Sequence, residues 1–183
     1  MLLSKSFLNE QVQKRTLTDS YSYSQRKTLD AYDLFISYSW NDKSYADKVV
    51  QLLEKCGYTV YIDYHDLRLD RGNVTEATAT RLIEVMKKCK GLFHLYSPSA
   101  SVSKWCPWEV GVFSGMKRFM CANLPLVERP TDDFKKQEYL EIYPYVEYEL
   151  IQNTSNYDFW ICESSQRYTN LRRWLNGEKP SIH

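Results

Sequence analysis

From residue 32 to residue 116 the chain alternates between short apolar runs and longer segments with apolar residues at helical spacing. This order constrains the fold more than any other feature. Tyr32-Asp33-Leu34-Phe35-Ile36-Ser37-Tyr38-Ser39 is mostly apolar and ends in small hydroxyl residues, which suits a central strand of a parallel sheet. Asn41 is a good N-cap, and Tyr45, Val49, Leu52, Leu53 and Cys56 follow at helical spacing until Gly57, a stop signal. Residues 58–62 are β-branched and aromatic and predict a second strand. Asn73-Val74-Thr75-Glu76 resembles a capping box with Asn73 as the cap. It opens a helix with Val74, Ala77, Leu82, Val85 and Cys89 near one face, and Lys87, Lys88 and Lys90 complement its C-terminal dipole. Residues 91–97 predict a third strand. Strand and helix in strict alternation predict a doubly wound, mostly parallel α/β sheet with right-handed crossovers.

The third helix carries the anomaly. It opens at Ser103-Lys104-Trp105-Cys106-Pro107-Trp108-Glu109, with Pro107 in the first turn, where backbone N–H groups lack intrahelical partners anyway. At about 100° per residue Trp105, Val112, Phe113 and Met116 form one apolar stripe, and Glu109 falls in its middle. An unpaired carboxylate on a buried face is costly. Glu109 is therefore either paired with a buried Arg or a backbone N–H, or a functional acid at the edge of a pocket walled by Trp105. A loop of about eleven residues, 63–73, is long for a strand-to-helix connection and is a second functional candidate.

Around this core the pattern is weaker. Residues 1–30 are polar and Ser/Tyr-rich and are expected to form an arm, with a short helix near residues 9–15. Residues 31–177 are expected to be one domain, with the core motifs in 31–118 and a divergent part in 119–177. That part should hold a strand at 124–128, a short helix at 134–142, and an edge hairpin of 145–151 and 157–162. A helix around Leu171, Trp174 and Leu175 should close it at Gly177, leaving a tail, 178–183.

The formal charge is +1 over 183 residues, which argues against a nucleic-acid partner. No apolar run approaches the roughly 20 residues of a membrane span, and no secretory h-region follows Met1. The 5 cysteines are widely spaced without a CxxC, as expected of reduced thiols in a cytoplasmic protein, and the 3 histidines show no metal-ligand spacing. No metal or cofactor is expected.

Ala31-Tyr32-Asp33-Leu34-Phe35-Ile36-Ser37-Tyr38-Ser39 resembles the first signature box of Toll/interleukin-1 receptor (TIR) domains. Asn41-Asp42-Lys43 follows as the usual Asp/Lys-rich helix start. Trp105-Cys106-Pro107-Trp108-Glu109 is similar to the Trp-Cys-x-x-Glu motif of TIR domains that cleave NAD. The resemblance implies a flavodoxin-like TIR topology. It departs from the family at Leu69-Asp70-Arg71-Gly72, where Arg71 stands at a common proline position of the docking loop.

The resemblance further implies an NAD+ glycohydrolase or ADP-ribosyl cyclase, with NAD+ as substrate rather than cofactor. Glu109 is carried over as the catalytic carboxylate. With the pocket at the carboxyl ends of the strands, Ser37, Ser39, Trp40, Asp63, Arg68, Arg71, Ser103 and Trp105 become candidate substrate contacts. Arg68 and Arg71 would face the pyrophosphate. A bare TIR domain of this kind is reminiscent of Thoeris anti-phage systems, in which a diffusible product reaches a separate effector; self-association of TIR domains is also expected. The competing readings are a non-catalytic TIR docking module and a nucleoside deoxyribosyltransferase-like enzyme. A phosphate-accepting receiver is disfavoured because the first strand ends in serines rather than paired acids. Rossmann-type NAD binding is disfavoured because no GxGxxG occurs.

Overall fold

A computed structural model describes residues 1–13, 30–63, 66, 75–129, 132 and 138–183. Strand β1 (Leu3–Ser4) runs directly into helix α1 (Lys5–Gln13). These residues are not a free arm. Leu3 and Leu8 are fully buried, and β1 pairs in parallel with residues 126 and 127. The Ser4 hydroxyl accepts the Phe7 N–H at 3.1 Å and starts the helix, so α1 begins ahead of the expected residue 9.

The doubly wound core follows the expected order. Strand β2 (Tyr32–Ser37) is succeeded by a 3₁₀ turn at Trp40–Asp42 and helix α2 (Lys43–Lys55). Gly57 at φ 83° supplies the left-handed residue that ends it. Strand β3 is short, Val60–Tyr61, and helix α3 spans Glu76–Lys88. Its cap is Thr75, whose hydroxyl accepts the Thr78 N–H, two residues beyond the expected Asn73. Strand β4 (Cys89–Tyr96), the short helix α4 (Pro98–Ser101), helix α5 (Trp105–Met116) and strand β5 (Cys121–Val127) complete the core.

After a 3₁₀ turn at Glu138–Leu140 come β6 (Tyr145–Leu150) and β7 (Tyr157–Ser164), the expected hairpin. The hairpin is not the sheet edge, however. Strand β8 (Arg167–Asn170), helix α6 (Leu171–Leu175) and strand β9 (Ser181–Ile182) follow, and β9 pairs with β8, so part of the expected tail is an edge strand. The strand order is β3-β2-β4-β5-β6-β7-β8-β9, parallel through β6 and antiparallel beyond it.

Side chains alternate across the sheet. Leu34, Ile36, Phe93, Leu95, Ala122 and Leu124 face one apolar layer with buried residues of α1, α2 and α6. Phe35, Leu92 and Cys121 face the other, with Leu82, Val85 and Met86 of α3 and Val110 and Phe113 of α5. The site lies on this second face.

Candidate active site

Helix α5 is aimed by its own first turn. The Ser103 hydroxyl accepts the N–H groups of Trp105 and Cys106, each at 3.3 Å, and so starts the helix. One turn on, Glu109 points inward and is 1% exposed. The Ser37 hydroxyl, at the carboxyl end of β2, donates to its Oε2 at 2.6 Å. The distance is that of a charge-assisted O–H to carboxylate bond. Trp105 is half-buried against the α3/α5 layer and meets Trp108 edge-on, with ring centroids 5.2 Å apart. Its packing is that of a side chain at the margin of the core.

Ser37 begins a polar row. Parallel register sets it beside His94 on β4, and His94 beside Asn123 on β5. Residues in register on adjacent parallel strands share a face, so all three lie on the α5 side, and each is buried. Burial holds the His94 imidazole down at about 4, while its approach to the Ser37 backbone works weakly the other way. His94 is therefore neutral at ordinary pH. The Asn123 amide nitrogen donates to the Leu140 and Tyr143 carbonyls at 3.0 and 3.4 Å, tying the segment ahead of β6 to the sheet.

A second buried link closes the strand ends. The Ser97 hydroxyl donates to Asp42 Oδ2 at 2.5 Å and accepts the Ala100 N–H at 3.0 Å, joining the turn after β2 to the start of α4. Beyond β3, Asp66 receives Arg81 Nε and a second guanidinium N–H, both at 2.9 Å. The Tyr61 hydroxyl stands 3.4 Å from the same oxygen, and burial together with that carboxylate pushes the phenol well above its ordinary range.

Burial raises Cys56 to about 11 and Cys89 and Cys162 to about 12, keeping them thiols. Among the described residues, no group of three His, Cys, Asp or Glu side chains could hold a metal ion. Nor is any helix among them long and apolar enough to cross a membrane.

The TIR-domain family model matches residues 34–152. The chain belongs to the TIR-domain family. Among TIR relatives it is similar to the "Probable 3' cyclic ADP-D-ribose synthase ThsB'" of Bacillus cereus (strain MSX-D12), at 38% identity over 174 residues, 94% of this chain and 89% of the relative. It is also similar to the crystal structure of the TIR domain of the Toll-related receptor TRR-2 from Hydra magnipapillata. That likeness has a TM-score of 0.47 and 18% identity, covering 63% of this chain and 82% of that one.

Within this TIR domain, Ser37 and Glu109 are brought into direct contact. Ser39 and Asp63 are buried at the ends of β2 and β3, and Trp40 is 56% exposed. Arg68 and Arg71 lie outside the described residues, as does His65. Asp42, Ser97, His94 and Asn123 were not singled out from the sequence. The available signal for His94 was a lone polar ring inside the apolar run Leu92-Phe93-His94-Leu95.

Proposed function

We propose that this TIR domain cleaves the nicotinamide–ribose bond of NAD+ and converts the remainder into an ADP-ribose-derived signalling molecule in anti-phage defence. The observation that carries the reading is the buried Glu109 carboxylate fixed by Ser37 at the carboxyl ends of parallel strands, where open α/β sheets bind ligands. The likeness to a protein named as a probable 3' cyclic ADP-D-ribose synthase supports the same substrate.

The chemistry follows from charge. Nicotinamide leaves as a neutral molecule, so no acid is needed to protonate it, and positive charge develops on the ribose as in glycoside cleavage. A carboxylate already oriented by Ser37 stabilises that charge without reorganising in the transition state, and can hold the ribose hydroxyls in place. Trp105 would wall the ribose or a base. Ser39, Trp40 and Asp63 would line the mouth, and Arg68 and Arg71 would meet the pyrophosphate. The ribosyl cation is then captured by water, giving linear ADP-ribose, or by a group of the same molecule, giving a cyclic product. A site that excludes water favours the second outcome. The product would act on a separate effector, and self-association of the TIR domain could complete the site.

The test is incubation of concentrated protein with NAD+, followed by nicotinamide quantitation and chromatography with mass analysis of the nucleotide product. A product with the mass of NAD+ less nicotinamide identifies cyclisation; one heavier by water identifies hydrolysis. No nicotinamide release from folded, assembled protein would overturn the reading and favour a TIR docking module.

A further inference from the structure

The pairing of Ser37 with Glu109 leaves His94 and the side-chain oxygen of Asn123 without a role. His94 is 1% exposed, and its neighbours Leu92, Phe93 and Leu95 are fully buried. A leucine would suit that layer. A neutral imidazole instead brings one N–H and one lone pair, both of which need partners when buried. Neither ring nitrogen makes a well-formed hydrogen bond to the described residues. The same holds for Asn123 Oδ1 on the next strand. Its amide cannot turn over to help, because the nitrogen is committed to two backbone carbonyls.

The imidazole approaches the Ser37 backbone in the sense that favours an N–H on that side. The ring's other nitrogen then presents a lone pair, and Asn123 Oδ1 presents another. His94 and Asn123 are register partners on adjacent strands, and an acceptor on each would be served by one small molecule with two O–H donors. We propose that His94 and Asn123 hold an ordered water at the floor of the site, and that His94 thereby acts as a positioning residue for the Ser37–Glu109 pair. The chain of contacts would run from the end of β2 through His94, the water and Asn123 to the segment carrying Leu140 and Tyr143. It would fix the strand end from which Ser37 addresses the carboxylate. A neutral ring suits this task, since a cation there would compete with the substrate for the charge of Glu109.

The role rests on the NAD+-cleaving reading, but the water is tested without it. An atomic-resolution crystal structure of the wild-type protein should show a water within hydrogen-bond distance of a His94 nitrogen and Asn123 Oδ1; a dry floor overturns the proposal. If wild-type protein releases no nicotinamide, the NAD+ reading fails while the water is judged on its own. For active wild type, His94→Leu should lower kcat about tenfold with KM within about twofold, while Tm is equal or higher. His94→Gln, which keeps a donor and an acceptor, should recover most of that loss. Wild-type kcat in His94→Leu overturns the positioning role. So does a joint fall of Tm and kcat that His94→Gln does not relieve.

Discussion

The two faces of the parallel sheet are built from alternate residues of the same strands, yet they are different materials. On the α2 side, Leu34, Ile36, Phe93, Leu95 and Leu124 are apolar to the strand ends and closed by α1, α2 and α6. On the α5 side, Phe35, Leu92 and Cys121 give way toward the carboxyl ends to Ser37, His94 and Asn123, with Glu109 above them. Each polar residue is flanked in sequence by hydrocarbon on the opposite face. The closed face fixes the strands, and so the spacing of groups that would not hold themselves in hydrocarbon. Changes on one face should therefore act on stability, and changes on the other on turnover.

Phe93→Ala should break the closed face most severely. The ring packs between Phe159 and Trp174, and its loss should remove about 3–5 kcal/mol in denaturant unfolding, with turnover per folded molecule unchanged. The second effect is a pH dependence from the polar face. His94 has its folded pKa depressed from 6.5 to about 4. Between these values the unfolded chain binds the extra proton, so stability is fully present above pH 6.5 and is lost as pH falls toward 4. The cost at the acid end is about 3 kcal/mol, read as a fall in unfolding midpoint that His94→Leu should flatten. Third, Ser37→Ala removes the hydroxyl donated to a charged oxygen, worth about 2 kcal/mol, or about thirtyfold in kcat/KM, with a small change in Tm. The smallest effect belongs to Gly91→Ala. A methyl there would lie 2.8 Å from the Trp174 ring and 3.0 Å from Leu175, costing about 1 kcal/mol because side chains can give way, again without loss of turnover. Loss of turnover in Phe93→Ala or Gly91→Ala at full folding would dissolve the distinction between the faces.

The sequence was most informative where periodicity is long. The alternation over residues 32–116 sets the winding of the sheet, and the 3.6-residue period puts Glu109 at a buried position; the buried face of α5 is nevertheless Cys106, Glu109, Val110, Phe113 and Ser114, rotated from the expected stripe, whose Trp105, Val112 and Met116 are half-buried. Signals shorter than a period were lost. Strand β1 has two residues and α1 is anchored chiefly by Leu8, so Leu3 and Leu8 carry too little pattern to stand out from a polar segment. Strands β8 and β9 are similarly brief. At α3, Asn73 and Thr75 are both competent caps, and only the Thr75–Thr78 pairing decides between them.

The buried polar contacts are illegible for another reason. Asp42 and Ser97 meet across 55 positions, and the row of Ser37, His94 and Asn123 exists only once strand register is set. At Ser103 the structure adds a local duty that the motif does not reveal, since its oxygen accepts the first N–H groups of α5.

The most direct measurement is nicotinamide release from NAD+ by the wild type and Glu109→Gln, made on samples whose thermal unfolding has been compared first. The amide preserves the side chain's shape and can still accept from Ser37, but carries no charge. Melting temperatures should agree within a few degrees, while nicotinamide release falls by about a hundredfold or more. Equal turnover by the two proteins would contradict the account, because the buried acid would then be an element of the core and the chemistry would lie elsewhere.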